Sequence, residues 1–100
     1  MTIERDEITE RDVRFYLMDR GERIGAVRVT AQADGNAQFS ELESAGGKHG
    51  AAMLIQRGLA EAKEMGLHTG VFWTENAELA ATISGTRIFK RAVFEVKVNG

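Results

Sequence analysis

Two rhythms of apolar residues run along this chain. Residues 13–18 (VRFYLM) and 23–30 (RIGAVRVT) alternate apolar and polar positions and are rich in β-branched and aromatic side chains, the pattern of half-buried strands. Between them, residues 19–22 (DRGE) supply a turn, so the pair reads as a β-hairpin. The strongest short turn signal follows at 33–36 (ADGN), where Gly and Asn accept positive φ at little cost. A third strand over 37–44 (AQFSELES) is expected antiparallel to the second.

The rhythm then changes. Ala51, Leu54, Ile55, Gly58, Leu59 and Ala62 recur at helical spacing, with Gln56, Arg57, Glu61, Lys63 and Glu64 on the other face, which predicts a helix over 51–65. Gly66 is its expected C′ residue, and Lys63 complements the dipole in the last turn. Gly58 on the apolar stripe implies close packing of helix on sheet. Residues 69–74 (TGVFWT) form a compact apolar strand that a helical crossover makes parallel to the third. Asn76 is placed to N-cap a short helix over 77–84 that ends at Gly85, and 87–98 reads as a terminal strand with one wet face.

The order is β-β-β-α-β-α-β, which predicts a mixed sheet covered by helices and an α/β class bordering on α+β. Residues 13–100 make the domain. The charged segment 1–12 (MTIERDEITERD) is an arm or short edge element, and it leaves the 13–18 strand as a possible sheet edge where a second copy could pair to give a homodimer.

Composition narrows the function classes. One hundred residues, 43% apolar, suffice for one core. A net charge of -2 provides no global field for nucleic acid or anionic membrane, so any anion site must be local. The absence of Cys removes disulfides and thiolate chemistry, and two His are poor material for a metal site. The short apolar runs and charged first ten residues predict a cytoplasmic protein without a signal segment or a membrane span.

The stretch 45–50 (AGGKHG) stands directly before the long helix. Glycines at a helix start leave backbone N–H groups bare at the positive end of the dipole, a cradle for phosphate, and Lys48 adds a mobile cation. Such a turn also serves as a plain tight connection, and an exposed lysine is usually only solvated. His49 is of a residue type that can act as a base near neutrality, but it reads first as a surface loop histidine. Glu41 and Glu43 are either solvated strand carboxylates or, for Glu41, a base. Phe72 and Trp73 are adjacent, point to opposite faces, and read as core rather than as a ligand platform.

Three segments, AQFSELES, GGKHGAAMLIQRGLAEAKEMGL and VFWTENAELA, stand in an order and spacing that resemble the GNAT acyl-CoA N-acyltransferases. The resemblance covers about residues 13–98 as topology and 37–80 as pattern. It implies acetyl-CoA or another acyl-CoA as cofactor, and an acyl transfer to a primary amine without metal. Gly46, Gly47, Lys48, His49, Gly50 and Ala51 would hold the pyrophosphate, Leu42 and Ser44 would line the cofactor from the strand, and Asn76 would follow the next strand. The resemblance also implies that the strands flanking the long helix splay to admit the pantetheine arm. Glu41 would be the base, with His49 as alternative.

This chain departs from the family pattern in several places. Gly46 and His49 stand where the family has Gln or Arg and its first motif Gly, and only Ala51 matches the last motif position; a one-step shift would use Gly47 and Gly50 instead. Ile83 occupies the position of the usual acid Tyr, and Tyr16, on the first predicted strand, cannot replace it. The strand and two helices that normally precede the segment at Val13 have only twelve residues in their place. A non-catalytic binding or assembly module that keeps the fold is therefore the alternative reading.

Overall fold

Turn chemistry sets up the first half of the molecule. The computed structural model describes residues 1–67, 69–74 and 93–98. Its elements are β1 (Thr2–Thr9), β2 (Asp12–Asp19), β3 (Glu22–Ala31), β4 (Asn36–Ser44), α1 (Gly47–Glu64), β5 (Thr69–Thr74) and β6 (Val93–Val98). Asp19 pairs with Glu22, and the intervening Arg20 and Gly21 both take positive φ, 52° and 81°. A turn with that backbone matches the right-handed twist of the strands it joins. At the next turn Gly35 has φ 87°, and the Asp34 carboxylate accepts both the backbone N–H and the side-chain amide of Asn36, each at 3.0 Å.

The strands form a six-stranded mixed sheet in chain order, antiparallel from β1 to β4 and parallel from β4 to β6. α1 packs across β2, β3 and β4. Its buried stripe of Ala51, Leu54, Ile55, Gly58, Leu59 and Ala62 meets Val13, Phe15, Leu17, Val27, Val29, Ala37 and Phe39 of the sheet. The helix ends as its glycine requires. Gly66 takes φ 79° and donates to the Lys63 carbonyl, while Leu67 N–H donates to Ala62 O, both at 3.0 Å. This is the paired C-terminal closure that satisfies carbonyls otherwise left bare.

Three expectations are corrected. Residues 2–9 form an eight-residue strand paired with β2 from Thr2↔Met18 to Thr9↔Asp12, so a strand does precede residue 13 and the 13–18 strand is not a sheet edge. The order of the described elements is therefore β-β-β-β-α-β-β, with a four-strand meander ahead of α1. α1 begins at Gly47, four residues before the expected 51, because a connection of only Ala45 and Gly46 suffices to turn the chain off β4. Glu61, expected on the wet face, is 4% exposed. It accepts from Arg5 Nε and Nη2 at 2.9 and 2.5 Å and from Arg57 Nη1 at 3.4 Å. Arg57 lies over the Phe15 ring, 4.7 Å from its centroid, so one carboxylate ties the edge strand, the helix and the core together. The helix expected over 77–84, with Asn76, Ile83 and Gly85, and the side chains of Phe72 and Trp73 lie outside what is described.

The sheet face away from α1 is polar, and no element covers it among the described residues. Asp12 accepts from Arg28 Nε and Nη2 at 2.9 and 2.5 Å and from Thr30 Oγ1 at 3.2 Å. Arg23 stacks on Tyr16, with its guanidinium carbon 3.9 Å from the ring centroid. The hydrogen bond from Arg28 holds the Asp12 carboxyl below its ordinary range, against the opposing effect of partial desolvation.

Two tests follow from this packing. A Cβ on Gly58 would lie 2.7 Å from Phe39 Cε2 and 3.1 Å from Val29 Cγ2. Gly58→Ala should therefore destabilise the domain by about 1–3 kcal/mol despite the helix propensity gained, and a urea midpoint that rises instead would refute the packing role. For Asp12, a depressed folded value means stability present above the ordinary carboxyl value of 3.8 and lost as pH falls through the lower folded value. Asp12→Asn should thus be less stable than the parent at neutral pH, with the difference closing in acid. A difference in urea midpoint that stays constant with pH would show that the ion pair is not its source.

Candidate functional site

The site grows out of the junction between β4 and α1. Gly46 is the N-cap at φ −80° and ψ 12°, and no side chain caps the helix among the described residues. The first helical bond runs from Gly50 N–H to Gly46 O at 3.2 Å. The N–H groups of Gly47, Lys48 and His49 precede it and are the ones a helix cannot satisfy internally. The first turn carries no acidic residue, so nothing opposes an anion there. Ser44 turns its hydroxyl to donate to Gly47 O at 3.4 Å and leaves those amides alone.

The glycines divide into two roles. A Cβ on Gly50 would lie 2.6 Å from Leu17 Cδ2 and 2.8 Å from Ser44 Oγ; one on Gly46 would lie 3.1 Å from Leu17 Cδ2 and 3.3 Å from Met1 Sδ. Those two allow the helix start to sit down on the sheet. Gly47 is different. It takes φ 66°, which L side chains rarely adopt, and a Cβ there would meet nothing within 4 Å. Open space therefore lies directly beside the bare amides, with Lys48 and His49 exposed at its margin.

β4 is bent just ahead of this junction. Arg28 pairs with Ser40 and Ala26 with Glu43, so Glu41 and Leu42 together oppose Val27 in a bulge. Glu41 carries the bulge at φ 53°, one of two non-glycine residues with positive φ among those described. The extra residue keeps Leu42 in the core and turns Glu41 outward, where its carboxylate accepts from Arg14 Nη2 at 2.8 Å. Arg14 Nη1 also reaches the Tyr16 hydroxyl at 3.5 Å. A carboxylate already engaged by a guanidinium must give up that ion pair to take a proton, which works against Glu41 as a general base.

The ladder between β4 and β5 runs from Asn36↔Thr69 to Phe39↔Phe72 and stops, although β4 continues to Ser44 and β5 to Thr74. Beyond Phe39 the two parallel strands are unpaired among the described residues. The ladder stops toward the same end of the sheet at which α1 begins, since α1 starts directly after β4. Ligands of open α/β sheets bind outside the carboxyl ends of the strands.

No family model, curated protein or solved structure matches this chain. The structure brings Leu42, Ser44, Gly46, Gly47, Lys48, His49, Gly50 and Ala51 to one sheet end, with Ala51 and Leu42 contributing buried side chains below the seat. Asn76 lies outside the described residues. Among the described residues, no group of three or more His, Asp or Glu is arranged to hold a metal ion, and no helix is long and apolar enough to cross a membrane. The bulge escapes a reading by strict alternation. Its signal was Phe39-x-x-Leu42, two core residues three apart in a strand whose period is two.

The bulge makes a simple prediction. Glycine relieves a positive-φ strain of about 1–2 kcal/mol and loses only an exposed ion pair, so Glu41→Gly should match or exceed the parent in stability. Glu41→Val should lose about 1–3 kcal/mol. Thermal unfolding of the two variants in the opposite order would contradict the bulge.

Proposed function

We propose that the domain is a GNAT-like acyl-CoA-binding protein, with the cofactor's diphosphate on the Gly47, Lys48 and His49 amides and its pantetheine arm between β4 and β5. The observation that carries this reading is the coincidence, at one end of the sheet, of an uncapped helix start with the end of the β4–β5 ladder. An anion-binding helix start alone would suit any phosphate; the unpaired strand ends beside it are where an extended arm would lie. Acyl-CoA supplies an activated thioester, and the transfer proposed is to a primary amine. The amine nitrogen bonds to the acyl carbon, the C–S bond breaks, and CoA leaves as a thiolate. That thiolate takes its proton from water, since Ile83 stands at the position of the family's acid.

In that reaction the chain's own residues position and orient. The α1 amides and Lys48 fix the anionic end of the cofactor, and backbone groups of β4 beyond the last pairing face the thioester as donors to a developing oxyanion. Glu41 on this strand is the carboxylate proposed to accept the amine's proton once Arg14 releases it, and exposed His49 is the alternative. The hold of Arg14 on Glu41 favours a second reading, a module that binds acyl-CoA or a partner without transferring an acyl group.

The substitution that separates binding from folding is Lys48→Glu. Asp at Gly47 would strain the backbone at φ 66° whatever it did to the ligand. A glutamate at residue 48, by contrast, complements the helix dipole while repelling a phosphate. Acetyl-CoA at about 100 times its Kd should add about 2.7 kcal/mol and raise Tm by roughly 4–8 °C per kcal/mol. In Lys48→Glu the apo Tm should hold or rise while the ligand-induced shift shrinks or vanishes. No shift in the parent rejects the acyl-CoA reading, and an undiminished shift in the variant moves the site elsewhere. Thiol release with an amine panel then distinguishes transfer from binding alone.

A further inference from the structure

The opposite end of β4 carries a second concavity that the acyl-CoA reading does not use. Gln32, Asp34, Asn36, Gln38 and Val71 line a pocket of about 330 Å³ at the β3–β4 turn and the start of β5. Strands usually spend their outward polar residues on solvent, but these are tethered. Gln32 Nε2 donates to Gln38 Oε1 across the hairpin, and both side chains are half-buried. Whichever amide donates, such a pair leaves one carbonyl oxygen and one NH2 group held in fixed directions. Asn36 Nδ2 donates to Asp34 Oδ2 at 3.0 Å. Because a carboxylate only accepts, that bond fixes the Asn36 amide with its oxygen turned away as a free acceptor.

We propose that this pocket is a binding site for a neutral sugar ring, a monosaccharide or the terminal residue of a glycan. Its unused valences are one donor, Gln38 Nε2, and two acceptors, Gln32 Oε1 and Asn36 Oδ1. Vicinal hydroxyls, each a donor and an acceptor, match that set, and neither a simple cation nor a simple anion does. Val71 supplies an apolar wall for the C–H face of a ring. The volume lies at the small end of ligand pockets, which suits one ring. Among the described residues the one charged lining group, Asp34, is already committed twice to Asn36, through its backbone N–H and its side-chain amide.

The site lies at the far end of β4 from α1 and stands or falls independently of acyl-CoA binding. Its test is titration of the isotope-labelled chain with D-glucose, D-galactose and D-mannose, followed through side-chain and backbone amide resonances, with glycerol as an acyclic control. The expected result is saturable movement with one of the hexoses at millimolar concentration, confined to residues 32–38 and Val71, and no saturation with glycerol. Gln38→Leu removes the donor and should weaken binding about tenfold. Should that variant fold poorly, Asn36→Asp removes nothing from the hairpin backbone and should weaken binding by repelling Asp34 out of position. Absence of saturation with all three hexoses, equal response to glycerol, or undiminished binding in the folded variant overturns the proposal.

Discussion

The distance between α1 and the sheet is the constraint on which the rest of the molecule depends. Two glycines set it: a side chain at Gly50 would strike Leu17 and Ser44, and one at Gly58 would strike Phe39 and Val29. Interiors are packed too densely to yield to a methyl group without moving an element. With the helix held down at both places, its first turn cannot drift from the end of β4. The direction of the bare Gly47, Lys48 and His49 amides is thereby fixed by core packing rather than by a flexible loop, which is how a binding site acquires a defined geometry on a rigid scaffold.

The same constraint explains why a glycine-rich segment is an ambiguous signal. Gly46 and Gly50 are small because Leu17 and its neighbours lie against them, which is the plain structural role; only Gly47 is glycine for its backbone angle and faces open space. A run of glycines in a sequence does not separate these reasons. Within 45–50 the tight-connection role is thus visible at Gly46 and Gly50, and the connection of only two residues shows that most of the run belongs to the helix itself.

What was legible were elements whose pattern is local. The buried helical stripe, the closure at Gly66, both hairpin turns and the parallel β4–β5 pairing all followed from spacing and turn chemistry. β1 was not, because Arg5 and Glu61 are fifty-six residues apart and each looks like a solvated charge until the fold joins them. Ile3 likewise gives no sign of its partner Leu17 in a segment so rich in acids and bases. The site was legible in its backbone part, which glycines announce, and obscure in its side-chain part. Glu41 stands on the strand where a base was expected, but nothing in AQFSELES says that a bulge turns it toward Arg14.

That contrast bears on how binding and chemistry are distributed in this fold. Backbone amides at a helix start need only small neighbours and correct packing, so they survive wherever the helix stays seated. A general base needs a carboxylate that is both placed and available, and in the resting arrangement Glu41 is held in an exposed ion pair with Arg14. Arg14 itself sits on β2, whose outer flank is covered by β1, and β1 is held by the Arg5–Glu61 bridge to α1. Arg14, the partner of Glu41, is thus placed by the packing of the N-terminal strand, whereas the direction of the helix-start amides depends on Gly50 and Gly58. Because the two rest on different contacts, a substitution can disturb one and leave the other in place.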